Sequence, residues 1–167
     1  DLKHAKVCAF GMTRRKGVAV ESDVSLKALL DAGTAVITLV GKASAFQSTE
    51  VLRTTLDENL AMIRESVAYL VAAGRRVIFD AEHFYDGWKQ NPDYAMQVAR
   101  AAAKAGARLI VLCDTNGGSM PQEVAAITAA AVAGLTVPVG VHFHNDCDLA
   151  VANSLAGVEV GAVQIQG

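Results

Sequence analysis

Six times along this 167-residue chain a short run rich in apolar and β-branched residues gives way to an amphipathic stretch. The runs lie at residues 5–10 (A-K-V-C-A-F), 35–40 (A-V-I-T-L-V), 76–80 (R-V-I-F-D), 107–113 (A-R-L-I-V-L-C), 137–141 (V-P-V-G-V) and 161–166 (G-A-V-Q-I-Q). Their shortness and composition predict strands, and near-continuous apolarity is what a parallel sheet buried on both faces requires. Between them, Leu56, Leu60, Ile63, Val67 and Leu70 recur at four- and three-residue spacing, one stripe of a helix. Thr55 with Glu58 predicts its capping box. Asn91 before Pro92 opens another helix, and Ser119 with Gln122 a further one. Gly33, Gly74, Gly106 and Gly134 stop helices. A helix over residues 149–160 completes the alternation. Strand–helix repetition of this kind predicts an α/β domain with a parallel sheet.

Composition supports that class. Apolar residues make up 52% and charged residues 19%, enough to build a sizeable core. The net charge of −2 and the lack of any basic cluster argue against nucleic-acid binding. Three cysteines at wide, irregular spacing give no disulfide framework and suit a reducing compartment. No signal peptide is visible, and the most apolar region, residues 124–141, is broken by Thr128, Gly134, Thr136 and Pro138. A cytoplasmic protein is the expectation.

Polar clusters follow the strands: Arg14/Arg15, Lys42, Glu82/His83, Asp114/Thr115/Asn116 and His142/His144/Asp146. In barrels and open α/β sheets alike, that edge binds ligands. His142 and His144 are two residues apart at a strand end, so their imidazoles share a face about 7 Å apart along the axis. With a carboxylate nearby they form a candidate divalent-metal corner. Six strands in this length suit an open doubly wound sheet, because a complete (β/α)8 barrel usually takes about 250 residues. Against that, the chain opens and closes inside the alternation, as part of a larger barrel would. No Gly-rich phosphate loop follows the first strand either.

Several strings together decide for the barrel: A-F-G-M-T-R-R-K (residues 9–16), V-G-K (40–42), T-T-L-D-E-N-L (54–60), D-A-E-H-F-Y-D-G-W-K (80–89), L-C-D-T-N-G-G (112–118) and H-F-H-N-D-C (142–147). The chain resembles the acyl-CoA-condensing TIM-barrel enzymes, the citramalate, isopropylmalate and homocitrate synthases, within a superfamily that includes the hydroxymethylglutaryl-CoA lyases. The resemblance implies a (β/α)8 TIM barrel of which residues 1–167 form a single partial domain covering strands three to eight, without the first two strands or the C-terminal domains. It implies a Claisen-type condensation of acetyl-CoA with a 2-oxo acid, foremost pyruvate giving citramalate, dependent on a divalent ion (Zn, Mn or Mg). An acyl-CoA lyase and a catalytically inactive barrel fragment are the alternatives; the D-T-N-G-G and T-R-R-K strings favour the synthase.

On this resemblance His142 and His144 are metal ligands and Glu82 is a catalytic carboxylate. Thr115 binds the oxo-acid carboxylate, while Arg14 and Arg15 attract the phosphates of CoA. Asp114 fixes its loop, and Asn145 and Asp146 orient the histidines from behind. The family's third protein ligand is an aspartate on its first strand, outside this match, so the chain alone is expected to bind metal weakly and to be inactive. Two departures stand out. Asp148 occupies a position that is usually glycine, where a carboxylate either adds charge near the metal corner or caps the next helix. Gln47 replaces a common histidine. Open sheet edges predict a homo-oligomer.

Overall fold

The computed structural model describes residues 2–167. Six strands, β1 (Cys8–Met12), β2 (Val36–Lys42), β3 (Arg76–Glu82), β4 (Leu109–Asp114), β5 (Val139–Phe143) and β6 (Gln164–Gln166), pair parallel in strict sequence order. A doubly wound sheet reverses its strand order partway, and this one never does. The right-handed crossovers therefore stack their helices on a single face, giving a barrel arc. The helices are α1 (Val24–Asp31), α2 (Leu56–Ala72), α3 (Phe84–Gln90), α4 (Pro92–Lys104), α5 (Pro121–Gly134) and α6 (Ala150–Glu159).

Strand alternation sorts the side chains. Ile37, Leu39, Val77, Phe79, Ala81, Ile110, Leu112 and Val141 point outward under the helices and are fully enclosed. They meet Leu26, Ile63, Val67 and Leu70 from the helices in one core. Each of the Val, Leu, Ile and Phe side chains contributes about 1.5–3 kcal/mol by leaving water. The intervening residues line the concave face. At the β1 edge Phe10 and Met12 are more than half exposed, and at the other edge Val163 and Ile165 lie open beside Val151, Leu155 and Val158 of α6.

Caps agree with the sequence in part. Thr55 accepts from the Glu58 amide and Asn91 from the Tyr94 amide. For α5 the N-cap is Met120, one residue later than Ser119, with the Glu123 carboxylate accepting the Met120 amide. The first strand begins three residues later than residues 5–10 suggested, and the last keeps only its final half. Two elements are unanticipated: a π-helical turn (Gln47–Val51) and α3.

Helix α3 packs tightly on the loop after β2. A Cβ added at Gly87 would lie 2.5 Å from the Ala43 carbonyl oxygen and 2.9 Å from Ser44 Cα, both backbone atoms that cannot swing aside. Gly87→Ala is expected to cost about 1–3 kcal/mol in denaturant unfolding.

Candidate active site at the strand carboxyl ends

Five strand ends deliver polar side chains to one rim. Parity places Lys42, Glu82, Cys113 and His142 on the concave face, where register sets Lys42 opposite Glu82 and Cys113 opposite His142. A cavity of about 400 Å³ is lined by Asp80, Glu82, Thr115, His142, His144 and Lys42 among others. A second, of about 380 Å³, lies beside it along the loop after β1, lined by Arg14, Arg15, Lys16, Lys42 and Glu82.

The imidazoles of His142 and His144 stand 5.1 Å apart, centroid to centroid, at 68°. Nδ1 of His142 is buried without a hydrogen-bond partner. Burial, helped by the neighbouring His144 charge, lowers the His142 pKa, so the ring is held neutral with a lone pair to offer. That arrangement fits a divalent ion on two nitrogen donors. Among the described residues no group of three or more His, Cys, Asp or Glu side chains gathers around one point.

The loops behind the rim are clamped to each other. The His83 amide donates to the Thr115 hydroxyl at 2.8 Å, which leaves that hydroxyl's own proton free to donate elsewhere. Asn116 donates to the Asp86 carboxylate at 2.7 Å, and the His83 ring lies 3.6 Å from the same group. His83 adopts φ +58°, a left-handed backbone uncommon outside glycine, directly after Glu82. Asp114 is enclosed and accepts the Ser119 amide at 2.9 Å within its own loop. Gly117 (φ +62°) lets the loops after β4 and β5 touch: a Cβ there would fall 2.8 Å from the Asp146 carboxylate and 2.9 Å from the His144 carbonyl oxygen.

Three expectations need correction. Arg14 is not an open loop cation: it is 5% exposed and bound by Glu58 at 2.8 Å and Glu65 at 2.7 Å. Burial alone would lower its pKa, but the two carboxylates more than offset this and raise it. Arg15 remains exposed at the cavity, 3.7 Å from Asp23. Asn145 does not hydrogen-bond a histidine; its side chain accepts the amide of Ala150, the first residue of α6, at 3.0 Å, while the N-cap position is Leu149 and the Asp148 carboxylate does not cap the helix. Asp146 makes no hydrogen bond to either ring among the described residues; its carboxylate faces Gly117 instead. The departure at residue 148 has a backbone meaning. Asp148 sits at φ +58°, where glycine is unstrained.

Sequence reasoning missed Asp80. It lies one layer below the rim, 5% exposed, accepting from Gln166 Nε2 at 3.1 Å. Burial pushes its carboxyl up to about 6, against the opposing Gln166 hydrogen bond. Its period-two spacing from Glu82 was the available signal.

The fold and rim define a (β/α)-barrel arc with its chemistry at the strand carboxyl ends. The family model described as HMGL-like matches residues 1–167, and the chain belongs to that family. It is 50% identical over 166 residues to the (R)-citramalate synthase of Streptomyces coelicolor, covering 99% of this chain and 31% of that protein. It is 49% identical over 168 residues to the (R)-citramalate synthase of Aquifex aeolicus, covering 100% of this chain and 32% of that protein. The chain thus spans about a third of the length of these curated relatives. Among solved structures, the HMG-CoA lyase of Bacillus subtilis superposes with a TM-score of 0.82 over 100% of this chain and 54% of that one; at 17% identity it establishes the fold. No helix among the described residues is long and apolar enough to cross a membrane.

Two substitutions test the local energetics. Asp80 binds its proton more tightly folded than unfolded, so its contribution to stability is whole below pH 4 and is lost as pH rises through 6. Asp80→Asn should therefore gain on the order of 1–3 kcal/mol over wild type at pH 7.5 and nothing at pH 4, read from denaturant midpoints at each pH. Asp148→Gly should raise stability by about 0.5–1 kcal/mol by removing left-handed strain, measured the same way.

Proposed function

We propose that the protein containing this chain joins acetyl-CoA to pyruvate in a metal-dependent Claisen-type condensation, and that water then cleaves the thioester of the product to give citramalate and free CoA. The observation that carries the reading is the single cavity lined by His142, His144, Glu82 and Thr115, in a chain about half identical to proteins named (R)-citramalate synthase. His142 and His144 would hold a divalent ion, Zn, Mn or Mg, whose positive charge polarises a chelated ketone when bound. Thr115, its acceptor side already occupied by the His83 amide, directs its hydroxyl proton at the oxo-acid carboxylate. Glu82 takes a proton from the acetyl methyl group. Arg15, with Lys16 beside it, faces the second cavity and supplies positive charge for the phosphates of CoA.

The same reading makes this chain strands three to eight of the barrel, with a third metal ligand and the closing strands supplied by chain outside it. Taken alone the chain would bind metal weakly and be inactive. Its open apolar edges, around Phe10 and Met12 and around Ile165 and Leu155, favour association with further copies or with the remaining barrel. The lyase reading is less supported: sequence likeness at half identity runs to synthases, and likeness to lyases is one of fold.

The test uses the full-length protein. Wild type should release free thiol from acetyl-CoA when pyruvate and a divalent ion are present. Chelation, or the double change His142→Ala/His144→Ala, should abolish release and weaken Zn²⁺ or Mn²⁺ binding at least tenfold. Thiol release with 2-oxoisovalerate in preference to pyruvate would move the assignment to isopropylmalate-type chemistry, and none with any 2-oxo acid would remove the synthase reading.

A further inference from the structure

The two rim cavities share four lining residues: Met12, Val40, Lys42 and Glu82. Two of these are apolar and two are charged. Lys42 and Glu82 are register partners on β2 and β3, facing the same way, with Nζ 2.6 Å from Oε2. The wall between the cavities therefore carries an ion pair beside two apolar side chains, and both members of the pair line both cavities.

Lys42 is held there firmly. Its carbonyl oxygen accepts from Asn59 Nδ2 at 2.9 Å, and Asn59, fully enclosed on α2, also donates to Tyr94 Oη at 2.8 Å. Two helices thus fix the end of β2. The lysine side chain is only 13% exposed, so its charge acts with little solvent screening. Other paired cations on this side have different surroundings: Arg14 is tied to two carboxylates at the base of the loop, and Lys89 pairs with Glu123 beyond the rim.

We infer that Lys42 is a further catalytic residue, the donor that takes up the negative charge forming on the thioester oxygen when Glu82 removes the methyl proton. The assignment rests on the condensation proposed above. With the 2-oxo acid in the histidine cavity and the thioester arm in the cavity beside Arg15, the two reacting carbons meet at the wall the cavities share. Glu82 breaks the methyl C–H bond and keeps the proton. The electron pair moves into the C–C bond as the carbonyl π pair shifts to oxygen, and the Lys42 ammonium donates a hydrogen bond to that oxygen. As the new carbon–carbon bond forms, the pair returns and the thioester carbonyl is restored, while the ketone oxygen gains the charge. A preorganised cation in a poorly hydrated site is suited to such transient charge, since nothing need reorient as it develops.

A lysine that merely neutralised Glu82 would behave differently. The deficit on its loss would then depend on pH, and raising the pH would restore activity. The experiment is steady-state turnover of the full-length enzyme as Lys42→Met and Lys42→Gln, with Lys42→Arg as the charge-conserving control. All are followed from pH 6 to 9, with near-UV dichroism confirming the fold. Wild-type turnover tests the condensation; the variants, read relative to it, test the assignment. Either neutral variant, provided one folds, should lose about 10²–10³-fold in kcat at every pH, with the oxo-acid KM within threefold, and Lys42→Arg should recover at least tenfold. Recovery at alkaline pH, turnover within threefold of wild type, or a loss confined to the oxo-acid KM would each overturn it.

Discussion

The two-residue period of a parallel strand governs this molecule. Along β2, β3, β4 and β5 one parity goes under the helices as Ile37, Leu39, Phe79, Ile110, Leu112 and Val141, and the other goes to the concave face as Lys42, Asp80, Glu82, Cys113 and His142. Slipping any pairing by one residue would push polar groups into the core and carry the apolar set to the open side. Apolar burial thus fixes, with many small contributions, where a few polar side chains must stand. The site is precise because the core is strict.

That dependence explains what the sequence disclosed. The strand positions, helix stripes and the Asn91 and Thr55 caps were legible, since each is written in near neighbours along the chain. The histidine pair was legible for the same reason: two residues apart in a strand means one face. The Lys42–Glu82 pair was not, because forty residues separate its members and only the register of β2 against β3 joins them. Asp80 was hidden for a related reason. An aspartate at a strand end reads as a loop boundary, and only the concave burial beneath Gln166 shows it to be a sequestered acid. Helix α3 escaped because its turn begins at His83 in a left-handed conformation, an entry no sequence cap announces.

Backbone strain gathers on the rim. His83 and Asp148 both take positive φ, one directly after Glu82 and the other just past the histidines. They differ in return. His83 is fixed on both sides, by its amide on Thr115 and its ring near Asp86, so its strain is balanced by a clamp between two loops. Asp148 is tied to Asn145 alone, accepting from its side-chain amide at 3.3 Å and donating its own amide to the Asn145 carbonyl oxygen at 3.1 Å, at an exposed site within one loop. The first is part of how the rim is built; the second is merely tolerated.

The double grip on Arg14 has a consequence for the second cavity. Glu58 and Glu65 both belong to α2, and the Arg14 amide also reaches Ser66 on that helix at 2.8 Å, so the loop after β1 is stitched to a rigid rod at three points. A loop so fastened cannot swing as a flap. The side of the second cavity lined by Arg14, Arg15 and Lys16 is therefore a fixed wall. The shape of that wall is set by the helix behind it and not by the loop's own sequence.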